Sequence, residues 1–225
     1  MSYMKLLSEM VRQNKLLEKR VARLETLEFT SFVGGWVEIE TITVDAPTNN
    51  IVFGDIPQIF LHLAFIISAR QNGQGCGYMR MIFNEDDEED YWYNSHSLDG
   101  DTGACTHSCT VFFGVDEYAD CIFIGNIPGV SVTHEEIFAD LFNSETLWIP
   151  DYRCDQKKKT CHWDNEALCP EAGEVPAAKF RQLGGGFWHQ KAPIDEIEIF
   201  LPGAAQFAQN SKFSLYGIGG TFECH

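Results

Sequence analysis

Apolar residues recur with a seven-residue period over the first 28 positions of the chain, and from position 36 onward they alternate with polar ones instead. Written as heptads, Leu7, Asn14, Val21 and Glu28 fall at a, and Tyr3, Met10, Leu17 and Leu24 at d, the seam of a short coiled coil. No Gly or Pro interrupts the run, and Arg20 at g is placed to reach Glu25 at e of a neighbouring helix. Met4 and Val11 at e widen the apolar stripe, which favours more than two strands; three are expected. The alternative is a lone amphipathic helix docked on its own domain, but propensity alone leaves so short a helix marginal in water. Asn14 favours the coiled coil, since a polar a position lowers stability and is explained by fixing register and strand number between chains. The trimerisation residues are thus Leu7, Met10, Asn14, Leu17, Val21 and Leu24, on a stalk spanning roughly 40 Å at 1.5 Å per residue.

Residues 29–35 read as a linker closed by Gly34 and Gly35, and 36–225 as one head. Trp36 to Val44 alternates as a half-buried strand should, and Asp45 to Asn50 is a turn. The strongest pattern runs from Ile59 to Arg70. There Ile59, Leu61, Leu63, Phe65, Ile67 and Ala69 form one apolar face, with Phe60, His62, Ser68 and Arg70 opposite, as expected of a central strand. Further strands are predicted at Tyr78 to Asn84, Tyr91 to Ser97, Thr110 to Val115, Cys121 to Ile124, Leu147 to Arg153 and Thr160 to Asp164. The last three fall at Phe187 to His189, Ile194 to Leu201 and Lys212 to Ile218. Many short strands separated by turn signals, with no convincing helix after residue 28, define a mainly β chain: an N-terminal α-helical coiled coil followed by a β-sandwich or barrel.

The 225 residues suffice for one substantial core plus an appendage. A net charge of −17 argues against nucleic acid or an anionic membrane as partner, because phosphate contacts need clustered Lys and Arg. No apolar run is long enough to span a membrane and the N-terminus lacks the order of a secretory signal, so synthesis in the cytosol without membrane insertion is expected. The eight cysteines suggest disulfides and an oxidising destination. A product made in the cytosol that works outside the cell reconciles the two.

Ile56 to Leu63, reading Ile-Pro-Gln-Ile-Phe-Leu-His-Leu, and Ser211 to Ile218, reading Ser-Lys-Phe-Ser-Leu-Tyr-Gly-Ile, resemble the β-sandwich domain of tailed-bacteriophage virion proteins found in tail fibres and related appendages. Between them Ala69-Arg70, Asn84, Tyr91, Tyr93, His96, Asp151-Tyr152, Lys157 to Thr160, Gly186, Trp188, Ile194 to Ile199 and Phe207-Ala208 fall in the family's order, so the resemblance covers roughly residues 36 to 218. It implies a homotrimeric virion structural protein with a jelly-roll-like β-sandwich head. The N-terminal helix would tether it to other virion proteins, and exposed loops would touch a host surface glycan or protein. No catalytic residue set is carried over, and no enzyme activity and no cofactor is expected. A tail fibre or adhesin is the leading expectation, a capsid fibre or decoration protein without a receptor the alternative, and a polysaccharide depolymerase a third. The acidic run Glu85 to Asp90 and the segment Cys154 to Cys169 depart from the family pattern.

Candidate chemistry is sparse. Cys105, His107, Cys109 and Cys121 have the ligand types of a zinc site but gaps too short for it, so no metal is assigned. The acidic run lacks the spaced oxygens of a calcium loop and reads as solvated. Cys154 and Cys161 flank a polar loop between two predicted strands, and a disulfide there would staple a hairpin. Trp163, with His162 and Asp164 beside it, combines an apolar face with hydrogen-bonding groups suited to a sugar and is the candidate receptor-binding set, the alternative being that Trp163 packs inside its own sandwich. Trp92 reads as core or as inter-subunit contact. Gly184 to Gly186 lacks the Lys and following helix of a phosphate loop, and a turn or a close backbone approach explains it better.

Overall fold

The chain divides into two compact units, Met1–Gly35 and Trp36–His225. The computed structural model describes residues 35–88, 90–100, 108–110, 120–129, 140–169 and 178–219, with side chains throughout except at 96–100, 108–110 and 178–180. Leu7, Met10, Asn14, Leu17, Val21 and Leu24 lie outside the described residues, as do Cys105 and His107 of the zinc set.

The described part of the second unit is built on two antiparallel sheets. The larger contains β1 (Trp36–Thr43), β3 (His62–Ser68), β5 (Tyr91–Gly100), β6 (Ser108–Thr110), β8 (Ser144–Ile149), β9 (Lys159–Cys169), β10 (Ala178–Trp188) and β12 (Lys212–Ile218). The smaller contains β2 (Asn50–Phe53), β4 (Cys76–Phe83), β7 (Ile122–Pro128) and β11 (Ile197–Phe200). Their orders are β1-β12-β3-β8-β9-β10-β5-β6 and β2-β11-β4-β7, so the chain alternates between sheets through β1 to β4, again at β7 and β8, and again at β11 and β12. β9, β10, β5 and β6 widen the larger sheet on one side only.

Alternation explains which face goes inward. Along β9, Lys159, Cys161, Trp163, Asn165, Ala167 and Cys169 are buried, while Thr160, His162 and Glu166 are exposed. The sheets meet through rings: Phe53 of β2 lies edge-on to Phe65 of β3 at 5.1 Å, Phe83 of β4 is 5.6 Å from Trp188 of β10, and Phe123 of β7 meets Trp163 of β9 at 6.5 Å. A disulfide between Cys76 at the start of β4 and Cys169 at the end of β9 ties one sheet to the other across a 93-residue separation.

The structure corrects four expectations. β3 begins only at His62, and before it Phe60 is fully buried while Ile59 is 37% exposed, the reverse of the predicted faces. Gly217 makes the room, since a Cβ there would overlap the Phe60 ring. The glycine triple lies mid-strand in β10 rather than in a turn. The close approach does hold: a Cβ on Gly184 would strike the Trp163 indole, and one on Gly186 would lie 2.8 Å from Ile122. Strand β2 has no predicted counterpart, because four residues are too few for alternation to be read. Finally, Cys154 and Cys161 are not bridged. Cys161 is a buried free thiol, whereas Cys154 is disulfide-bonded elsewhere. The side chain that reaches back to Cys154 is Lys159, two residues nearer on the same face of β9, whose ammonium donates to the Cys154 carbonyl. Burial pushes the Cys161 thiol up to about 12.

Candidate ligand-binding groove

The outward faces of β9, β10 and β5 share a register that sequence cannot supply. Phe187 pairs with Trp92 on one side and Thr160 on the other; Gly185 pairs with Asn94 and with His162; Leu183 pairs with Asp164. Because pairing fixes which side chains stand abreast, the side-chain-free position at Gly185 falls between Asn94 and His162. A Cβ on Gly185 would lie 3.3 Å from His162 Nδ1. Its absence opens a hollow of about 630 Å³, lined chiefly by Trp92, Asn94, Thr160, His162, Leu183 and Phe187 over the backbone of Gly184 to Gly186.

One end of the hollow is an aromatic platform. Trp92 and Phe187 lie 5.4 Å apart with planes 29° from parallel, and His189 joins them at 5.1 Å from Phe187 and 16° from its plane. Lys158 Nζ stands 3.2 Å from His189 Nδ1. The indole Nε1 of Trp92 and Nε2 of His189 are buried without a hydrogen-bond partner. The side chains of Asn94, Thr160 and His162 make no hydrogen bond within the described structure, so their donors and acceptors are unspent. Among the described residues, neither a carboxylate nor a Lys or Arg lines the hollow.

The predicted receptor-binding set divides. His162 is exposed and stands in the hollow. Asp164 lies on the same strand face but outside the lining, in an ion pair with Arg181 at 3.0 Å. Trp163 is corrected: it is 3% exposed and points into the core against Phe123, because strand parity turns it away from His162. Trp92 is half-buried on the outer face rather than in the core, and with Phe187 it supplies the apolar surface that Trp163 was expected to give. Alternation in β5 and β10 marks both residues as outward, yet only the pairing brings them together.

The same outer face continues across β8, β3, β12 and β1. Trp148 pairs with His162 on one side and Ala64 on the other, and Tyr216 pairs with Ala64. Trp36, 50% exposed, is 5.7 Å from Tyr216 and 6.4 Å from Trp148, and Ile66 nearby is 47% exposed. His62 lies against Trp148 at 5.2 Å. Its Nδ1 accepts the Asp151 N–H at 3.2 Å, and burial lowers its pKa against the opposing pull of Asp151. The two side chains approach to 3.7 Å.

Among the described residues no group of three or more His, Cys, Asp or Glu is placed to hold a metal ion, and no helix is long and apolar enough to cross a membrane. Comparison with protein-family models, curated proteins and solved structures gives no match to the chain.

Proposed function

We propose that the chain is a virion attachment protein of a tailed bacteriophage, a homotrimeric tail fibre or adhesin whose head binds a component of the host cell surface. The observation that carries this is the hollow over β10: an aromatic platform, a glycine floor and three polar side chains with no internal partner, all on one solvent-facing side of a sheet. Such a surface is built to bind. Among the described residues no carboxylate lines it, which favours binding over the hydrolysis that a depolymerase would carry out with a carboxylate pair. The phage assignment rests on the sequence resemblance spanning Ile56 to Ile218. The alternation of strands between two sheets supports reading the head as a jelly-roll-like sandwich.

Self-association has its own support. The Trp36, Trp148, Tyr216 and Ile66 surface is an exposed apolar patch on the outer face of the larger sheet, of the kind that association with further copies covers. Attachment through three copies then gains strength from multivalency rather than from one tight site. The test is adsorption. Purified protein should bind host cells and block attachment of its own phage, and sedimentation should give about three times the 25.4 kDa chain mass. Protein that neither binds cells nor competes would overturn the attachment reading in favour of a capsid or decoration role, and a monomer would overturn the trimer.

A further inference from the structure

The hollow over Gly184 to Gly186 narrows the kind of molecule it takes. We infer that it seats a neutral pyranose of a surface glycan, stacked on the Phe187 and Trp92 platform and hydrogen-bonded by Asn94, His162 and Thr160. This rests on the attachment reading only for the glycan's location on a host cell.

The chemistry follows from what lines the hollow and what does not. A pyranose has one face of C–H groups and a rim of hydroxyls. It therefore needs an apolar plane with uncharged donors and acceptors beside it. Phe187 and Trp92 give the apolar surface, their rings stacked 5.4 Å apart and 29° from parallel. Asn94 and His162 flank Gly185, one from each neighbouring strand, and Thr160 stands beside Phe187. None of these three side chains is engaged elsewhere in the described structure, so each can meet a hydroxyl without first breaking a bond.

Charge decides between classes of sugar. Sialylated, uronate-containing, sulfated or phosphorylated glycans need a cation; among the described residues neither Lys nor Arg lines the hollow, and the ammonium beside its aromatic end, that of Lys158, lies against His189 Nδ1. Arg181, on the same face of β10, is already paired to Asp164. A chain at −17 also repels polyanions at a distance. Cationic amino sugars lack a counter-charge, since among the described residues no carboxylate lines the hollow either. A peptide is disfavoured because the site lies mid-sheet, where β5, β9 and β10 are already hydrogen-bonded to one another and offer no free edge for strand addition.

The experiment uses the full chain and a panel of oligosaccharides of two kinds, neutral ones built from hexose and N-acetylhexosamine, and anionic ones carrying sialate, uronate or sulfate. Binding is read by calorimetry and by tryptophan fluorescence, to which Trp92 should contribute. At least one neutral glycan should bind and none of the anionic set should bind better. Phe187→Ala and the double change Asn94→Ala/His162→Ala should each weaken binding tenfold or more, while Tyr78→Ala, 54% exposed on the other sheet, should leave it unchanged. Asn94 and His162 are exposed, so the double variant keeps a folded readout even where Phe187→Ala loses stability. A panel on which no neutral glycan binds, a preference for anionic glycans, or binding unaffected by the double variant overturns the inference. Cell adsorption without neutral-glycan binding would sink this inference and leave the attachment reading standing. Neutral-glycan binding without adsorption would do the reverse.

Discussion

Glu145 holds a carboxyl group where water cannot reach it, so its protonation is tied to the stability of the fold. It lies on β8 facing inward, 1% exposed, between Asn143, whose Nδ2 donates at 3.4 Å, and Asn165, whose Nδ2 donates at 2.8 Å to the same oxygen, Oε2. Its other oxygen, Oε1, has no partner, and neither do Asn126 Oδ1 and Asn165 Oδ1, so this interior has a surplus of acceptors. Protonating Glu145 turns one acceptor into a donor. Burial accordingly pushes its pKa up from 4.5 to about 8, against the two amide hydrogen bonds that pull it down. The folded state therefore holds the proton below about pH 8, while the unfolded chain releases it above about 4.5. Across that window unfolding releases a proton, so stability falls as pH rises, by about 1.4 kcal/mol per unit and on the order of 5 kcal/mol in all, and then levels off. Glu145→Gln is neutral at every pH and keeps an oxygen for Asn165. Urea unfolding of both proteins from pH 5 to pH 9 should show the variant gaining on the native chain steadily up to about pH 8. Taking the difference between the two removes the histidines, which titrate in both. A difference that does not change with pH would refute the assignment of a proton to buried Glu145.

Three other perturbations follow from the same coordinates. Removing the Cys76–Cys169 bridge with Cys76→Ser frees a 93-residue loop in the unfolded chain, which the chain-entropy model sets at about 4–5 kcal/mol, to be read as a lower urea midpoint in non-reducing buffer; an unchanged midpoint would show that the bridge does not constrain the unfolded state. Lys159, 1% exposed, donates to the carbonyls of Cys154, Lys157 and Lys191, so Lys159→Met should cost about 3 kcal/mol by leaving those acceptors unmet, with a loss under 1 kcal/mol in denaturant titration counting against that role. Gly184→Ala should destabilise by about 1–3 kcal/mol, since its Cβ collides with the Trp163 ring, and a thermal scan showing no drop would mean that the indole has room to move.

The residues themselves determined a good deal. Period-two alternation located β1 and β12 almost to the residue, and placed most other strands within a few positions, because a half-buried strand writes its burial into every second side chain. What alternation could not reach is which strands are neighbours. Trp163 stood out for its ring beside His162 and Asp164, but within the strand predicted over Thr160 to Asp164 neighbours face opposite ways, and parity sends it inward. The groove, the Cys76–Cys169 bridge and the Glu145 row each join residues far apart in the chain: Trp92 with Phe187, Cys76 with Cys169, Asn126 with Asn165. Local sequence sets a strand's two faces through the geometry of a single backbone. Sheet order and register arise from long-range pairing, and only these placed the outward glycine of β10 between Asn94 and His162.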